Sequence, residues 1–116
     1  MAENYVVAEN PLAYAVRDTS PVTLLHTLVL PKRHVASYFD LNTREKEATD
    51  ELLEQSRLDI VARDPTVMGF NIGINIGEVA GQTIFHCHVH LIPRRMGDVV
   101  NPRGGVRGVI PGKAFY

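Results

Sequence analysis

Tryptophan is absent from this chain of 116 residues, cysteine occurs once, and aromatic residues make up only 7%. The lone thiol, Cys87, has no intrachain partner, which excludes a disulfide framework and any metal cage of paired cysteines, and suits a reducing compartment. An excess of charge is missing too: 12 basic residues against 13 acidic ones leave a net charge of -1. Without a global field nothing recruits nucleic acid or an anionic membrane, and an anionic ligand has to be met by a local site. No stretch approaches the ~20 consecutive apolar residues of a membrane span. The opening MAENYVVAENP carries acidic residues where a secretory signal has a basic start and an apolar run. A soluble, cytoplasmic protein with neither membrane nor nucleic-acid partner is expected.

What remains is an ordinary globular composition, 45% hydrophobic and 22% charged. This length carries one core rather than two, so residues 1–116 are expected as a single domain without internal repeats. Residues 4–8 and 12–17 are β-rich runs around Glu9-Asn10-Pro11, a hairpin with its turn at the proline. Asp18-Thr19-Ser20-Pro21 is a second turn, and residues 26–30 form a short buried strand stopped by Pro31 and followed by the basic triplet Lys32-Arg33-His34. Asn42 followed three residues later by Glu45 is a capping box, and helix formers run from there to about Arg63, before Pro65. Ala48, Leu52, Ser56 and Ile60, with Leu53 beside them, give that helix a stripe to lay on a sheet. Residues 68–77 alternate strictly, which predicts a strand with Phe70, Ile72, Ile74 and Ile76 on the core face and Asn71, Gly73, Asn75 and Gly77 on the other. The Gly- and Pro-rich ending predicts an extended arm over residues 99–116.

The chemistry concentrates in QTIFHCHVHLI, residues 82–92, which holds His86, His88 and His90, three of the five histidines of the chain. A strand ended by Pro93 would put these imidazoles on one face and Cys87, Val89 and Leu91 on the other. Solvated or structurally satisfied histidines are one reading. Metal binding is a second, but at ~3.3 Å per residue the backbones of His86 and His90 lie ~13 Å apart, so two of the three with an outside carboxylate would have to serve. Nucleophilic attack on phosphorus is the third: an imidazole near its unperturbed pKa of ~6.5 keeps one nitrogen free, and its neighbours can hold protons and polarise oxygens. The middle residue is then the natural nucleophile. Gly81, Gln82 and Thr83 at the segment's start, and Asn75 from the preceding strand, offer polar groups for a phosphate nearby.

His86-Cys87-His88-Val89-His90-Leu91-Ile92 matches the His-x-His-x-His motif of the histidine triad (HIT) family, x being apolar, and the resemblance covers most of the chain. VVAEN, YAVRDTSPV, HTLVLPKRH, GFNIGINIGEVAGQT and HCHVHLIPRRMGD follow in the family's order. GQTIFHCHVHLIPRRMGD resembles the branch that contains the fragile histidine triad protein and the bacterial dinucleoside polyphosphate hydrolases. The resemblance implies an α+β fold, a five-stranded antiparallel sheet with one long helix, extended across a homodimer. It implies a hydrolase that attacks the α-phosphate of a dinucleoside polyphosphate or related nucleotide and forms a nucleotidyl-histidine.

Carried onto this chain, the resemblance makes His88 the nucleophile and gives His86 and His90 the phosphate oxygens or the protons. His26 would be the supporting upstream histidine, Gln82 and Thr83 would hold the phosphate bridge and leaving group, Asn75 would bind phosphate, and Asp18 would accept the ribose hydroxyls. Read alone, Asp18 can also be a simple turn former before Ser20-Pro21. No protein-bound metal or cofactor is called for, although the substrate can arrive as a Mg²⁺ complex. Arg94, Arg95, Arg103 and Arg107 lie just downstream, placed to meet a polyphosphate, and the glycines of RGGVRG let backbone amides approach an anion. The chain departs from the family at Thr23-Leu24-Leu25-His26, where Pro-x-Gly-His is frequent, and it lacks the Cys-containing opening of many members. A nucleoside phosphoramidate hydrolase and a nucleotide-binding regulatory module with weak hydrolysis are the rival readings.

Overall fold

The computed structural model describes residues 6–116, so positions 4 and 5 of the first expected strand lie outside the described residues. Five strands form one antiparallel sheet: β1 (Val6–Glu9), β2 (Ala13–Arg17), β3 (Thr27–Pro31), β4 (Val67–Gly73) and β5 (Val89–Arg95), in the order β1-β2-β3-β5-β4. The long helix, α1 (Thr43–Arg63), crosses one face of it. Ala13, Ala15, Val29 and Val89 of the sheet pack against Leu52 of α1, and Ile60 joins Val67 and Leu91. The opposite face carries Val16, Leu28 and Leu30, and His90 stands directly across from Leu28, so His90 projects away from α1.

Local chemistry explains the elements. Asn10 builds the β1–β2 turn by accepting from the amides of Leu12 and Ala13, and pins it to the helix by donating to the Ala48 carbonyl. The capping box at the start of α1 is present in both directions, Asn42 Oδ1 accepting from the Glu45 amide and Glu45 Oε1 from the Asn42 amide. Glu45 also accepts two charge-assisted bonds from Arg33, at 2.9 and 2.8 Å, which holds its pKa down at about 2. Leu52, Ser56 and Ile60 of the expected stripe are buried, together with Glu45 and Thr49.

Several expectations need correction. The strand expected over 68–77 ends at Gly73, because its ladder to β5 ends at the pair Gly73↔His90 and Gly77 turns the chain at φ 90°. Ile72, expected in the core, is 53% exposed, since β4 is an edge strand with one side unpaired. The histidine segment is only partly a strand: β5 starts at Val89, and Cys87 makes a single backbone bond to the Val35 carbonyl at 2.7 Å. Pro31 is the last residue of β3, as expected, but Pro93 stands inside β5, which runs on to Arg95. Each sits just past the last rungs shared by β3 and β5, so its missing N–H faces no ladder, and its carbonyl accepts from a side chain: Pro31 from His86, Pro93 from Thr23.

The segment expected as an extended arm folds back as a 3₁₀ turn, Gly105–Val109, against β4. Gly104, at φ 87°, lies so near the Ala114 carbonyl that a Cβ would stand 1.5 Å from its oxygen. The Arg103 and Arg107 guanidiniums stack on the Tyr116 ring at 5.2 and 4.9 Å. These contacts close the tail on itself.

Glu45→Gln is expected to lower stability by about 1 kcal/mol at neutral pH, since a charge-assisted pair between the buried Glu45 and the half-exposed Arg33 is broken. The Glu45 carboxyl is more acidic when folded, so its contribution is complete above the ordinary value of 4.5 and fades as the pH falls towards about 2. Urea denaturation of both proteins at pH 7 and pH 3 checks this, and an undiminished gap at pH 3 would contradict it.

Candidate active site

The β2–β3 connection delivers His26. Thr23 anchors it to β5 through the Pro93 carbonyl, the His26 amide donates to the Thr23 carbonyl at 3.1 Å, and the Asp18 amide donates to the His26 carbonyl at 2.9 Å. Leu25 adopts φ 74°, the left-handed conformation a glycine would take without strain, at a cost of about 1 kcal/mol. Its side chain packs on the Ile60, Val67 and Leu91 cluster, which offsets that cost. The turn before His26 therefore survives the replacement of the family's glycine.

The hydrogen bonds assign the ring protons. The Val22 amide donates to His26 Nδ1 at 3.2 Å, so the His26 proton sits on Nε2 and is donated to His90 Nδ1 at 2.9 Å. His90 then carries its own proton on Nε2, at the outer end of the relay. Burial pushes the pKa of both rings below 6.5; Asp18, with Oδ2 at 3.5 Å from His26 Nδ1, pulls the other way without prevailing, and His90 is lowered further by His88 and His26. His88 lies edge-on to His90, ring centroids 5.2 Å apart. Its Nδ1–H donates to the His86 carbonyl at 2.8 Å, which leaves the Nε2 lone pair free.

The structure thus brings together His26, His88, His90 and Asp18, and Asn75 joins His26 and His90 in lining a cavity of about 590 Å³. Gly73, opposite His90 in register, leaves the space beside that ring open. Other expected residues are elsewhere. His86 turns its ring to the Pro31 carbonyl, at 2.7 Å, and to His34, with centroids 4.9 Å apart. Gln82, expected on the phosphate bridge, is buried and its amide is committed: Oε1 accepts from the Gly77 amide, and Nε2 donates to the carbonyls of Ala36 and Ile84. The positive φ of Gly77 and Gly81 curls the loop round this amide, so Gln82 shapes the loop that precedes the histidines. Thr83 is exposed on that loop.

The arginines also differ from expectation. Arg94 is held by Asp98 and Asn71, Arg95 by Asp64 and the Leu24 carbonyl, and Arg107 donates to the Lys113 carbonyl. Arg94 and Arg95 thus spend their charge on carboxylates of the fold, whereas Arg107 is held through one N–H and its stacking on Tyr116. Asp18 makes the turn read from sequence, Oδ1 accepting from the Ser20 amide at 2.8 Å. His34, which the sequence offers only as the end of the basic triplet Lys32-Arg33-His34, is the further histidine brought in, against His86. Cys87 is buried, and burial raises its thiol pKa, as befits a core thiol.

Asp18, His26 and His90 offer ligand atoms within 4.8 Å of one another, the one candidate metal group among the described residues. Two ligands on one tetrahedral Zn²⁺, each ~2.1 Å from it, stand roughly 3.4 Å apart. The 2.9 Å between His26 Nε2 and His90 Nδ1 is a hydrogen bond instead, and a shared ion would have to open it.

Residues 2–97 match the family model described as the HIT domain. The chain belongs to the HIT family. An uncharacterised HIT-like protein of Mycoplasma genitalium is 36% identical over 92 residues, 78% of this chain and 64% of that one. The AP-4-A phosphorylase of Mycobacterium tuberculosis is 36% identical over 97 residues, 83% of this chain and 49% of that protein. This HIT protein thus spans less than two thirds of the length of either relative. Among solved structures, a HIT family protein from Bacillus anthracis superposes with a TM-score of 0.76 at 38% identity, over 81% of this chain and 66% of that one. Plasmodium falciparum diadenosine triphosphate hydrolase superposes with a TM-score of 0.74 at 27% identity, over 87% of this chain and 68% of that one. The HIT fold, a five-stranded antiparallel sheet with one long helix, is thereby shared. Among the described residues no helix is long and apolar enough to cross a membrane.

The depressed pKa of the buried pair has a direct readout. In a ring-proton NMR titration, the resonances of His26 and His90 are expected to show midpoints below 6.5. A midpoint at or above 6.5 for either ring would contradict the relay as drawn.

Proposed function

We propose that this HIT protein is a nucleotide hydrolase that attacks the α-phosphate of a dinucleoside polyphosphate or related nucleotide through a nucleotidyl-histidine. The observation that carries the reading is the tautomer of His88, whose Nδ1–H is committed to the His86 carbonyl so that Nε2 faces out as a nucleophile beside a neutral donor relay. In the first step Nε2 forms a bond to the α-phosphorus, and the P–O bond to the leaving phosphate breaks with its electron pair going to that oxygen. The His90 Nε2–H and the Asn75 amide meet the charge on the phosphoryl oxygens. Water then attacks the same phosphorus and gives up a proton to solvent, the N–P bond breaks with its electron pair returning to Nε2, and the neutral imidazole is regenerated as the nucleotide leaves.

The Asp18 carboxylate, tied at one oxygen to the Ser20 amide, would accept the ribose hydroxyls with the other. Mg²⁺ would enter with the polyphosphate. The likeness to a diadenosine triphosphate hydrolase and to an AP-4-A phosphorylase supports this substrate class. The second of those names motivates one alternative, in which inorganic phosphate instead of water takes the nucleotidyl group from His88. A homodimer belongs to the proposal too: the free edge of β4, with Ile72 53% exposed beside it, suits extension of the sheet by a second copy. Light scattering should then give twice the mass of one chain.

Incubation of diadenosine tetraphosphate with the protein in excess chelator, then with Mg²⁺, is expected to yield AMP and ATP, and His88→Ala to abolish turnover while nucleotide binding survives. ADP and ATP formed only with added phosphate would select the phosphorolytic alternative. No cleavage with AMP binding intact would point to a phosphoramidase or a nucleotide-binding module. Asp18→Ala is expected to raise KM for ribonucleotides about tenfold, the worth of one hydrogen bond to a charged group. Equal handling of ribose and 2′,3′-dideoxyribose substrates by the unaltered protein would argue against that role.

A further inference from the structure

We infer that Arg95 and Arg17 are positioning residues for His26, each tying one of the two peptide groups beside Leu25 to an aspartate at the end of α1. The role rests on the proposed reading of His26 as the donor to His90. Leu25, at φ 74°, is the one non-glycine residue with a left-handed backbone among the described residues, a conformation that a side chain disfavours. Because a peptide group is planar, the direction of the Leu24 carbonyl sets φ of Leu25 and that of the Leu25 carbonyl sets its ψ. Both oxygens are held by side chains. The Leu24 carbonyl accepts from Arg95 Nη2 at 2.9 Å. The Leu25 carbonyl accepts from the Thr27 hydroxyl at 2.8 Å, and that hydroxyl accepts from Arg17 Nη1 at 2.8 Å.

Each arginine is braced on the helix. Arg95 Nε donates to Asp64 Oδ2 and Arg17 Nη2 to Asp59 Oδ2, both at 2.9 Å. The aspartates are pinned from a second side: Asp64 Oδ1 accepts from the Thr66 amide and hydroxyl, and Asp59 accepts from Arg63. The Arg17 and Arg95 side chains are only 20% and 18% exposed, so water competes for these bonds less than at an open surface pair. Two braces from different strands, β2 and β5, thus converge on one residue. Packing of the Leu25 side chain on Ile60, Val67 and Leu91 fixes where that side chain lies, but not the direction of the two carbonyls. With either carbonyl released, Leu25 is free to relax towards negative φ, and the His26 backbone turns with it. The ring then loses the Val22 amide at Nδ1, the bond that keeps its proton on Nε2 for His90.

Nitrogen NMR of the imidazoles separates positioning from general stability and needs no substrate. Above the titration of the ring, the unaltered protein is expected to show His26 in the single Nε2–H form, whereas Arg95→Met and Thr27→Val, which keep most of the side-chain volume, should show both tautomers. Arg95→Lys is expected to restore the single form in part, since one ammonium cannot span both acceptors as the guanidinium fork does. Arg57→Met removes a guanidinium paired with Glu54 on the same helix, away from the turn, and should leave the His26 signals unchanged. With diadenosine tetraphosphate, Arg95→Met and Thr27→Val are expected to lower kcat about tenfold while KM moves less than about twofold, because the group displaced acts on the transition state. A single tautomer retained in Thr27→Val, which decides the matter should Arg95→Met not fold, would overturn the proposal. So would the same mixture in Arg57→Met, or a loss confined to KM. Should the unaltered protein fail to hydrolyse the dinucleotide while the tautomers respond as expected, the covalent reading falls and the positioning role stands.

Discussion

Three rungs between β3 and β5 hold this molecule's chemistry in place: Thr27↔Leu91, Leu28↔His90 and Val29↔Val89. They set His26, one residue before β3, against His90, and the 2.9 Å bond between the two rings follows from that register. A slip of one residue would turn His90 into the helix face and bury a polar ring in the Leu52 and Val89 cluster. The ladder is short because a proline stands beyond it at either end, and both ends are put to use. Pro31 offers a carbonyl to His86 and Pro93 one to Thr23, so the rings and the turn that flank the site are tied to the same two strands.

The electrostatics of the site follow from where that ladder lies. It is the middle of the sheet, and burial there favours the uncharged form of His26 and His90 over the pull of a carboxylate 3.5 Å away. A relay of neutral rings, each with its proton assigned by a neighbour, can donate to a developing oxyanion without first losing a proton to solvent. A second network supports the segment from the other side. Arg33 and Glu45 fasten the loop after β3 to the start of α1, and that loop supplies the carbonyls that receive Cys87 N–H and the Gln82 amide. The backbone between His86 and His88 is thus anchored to the helix cap.

Local patterns made much of this legible. The capping box at Asn42 and Glu45, the turn at Asn10-Pro11 and the limits of α1 depend on neighbours in the chain, and they stand where the residues indicate. The spacing of the histidines pointed to His90 facing away from the core, because alternation in a strand is a local rule. It failed at His86, which lies before β5 begins at Val89 and turns its ring to the Pro31 carbonyl and to His34. The same cause explains Ile72: alternation names a face, but only the position of β4 at the sheet's edge decides whether that face is covered. Gln82 went astray because nothing in its spacing reveals that the loop closes round its amide.

The sequence by itself determined the family, the helix with its cap, the strand segments and the set of histidines, since motif and period are properties of residues a few positions apart. Only the tertiary structure decided which histidines meet. It paired His26 with His90 and His86 with His34 across separations of more than 50 residues, tied up the arginines beside the site, and folded the RGGVRG tail against β4. Those outcomes depend on strand order and on competition among nearby partners for each hydrogen bond, and neither is written in any short stretch of the chain.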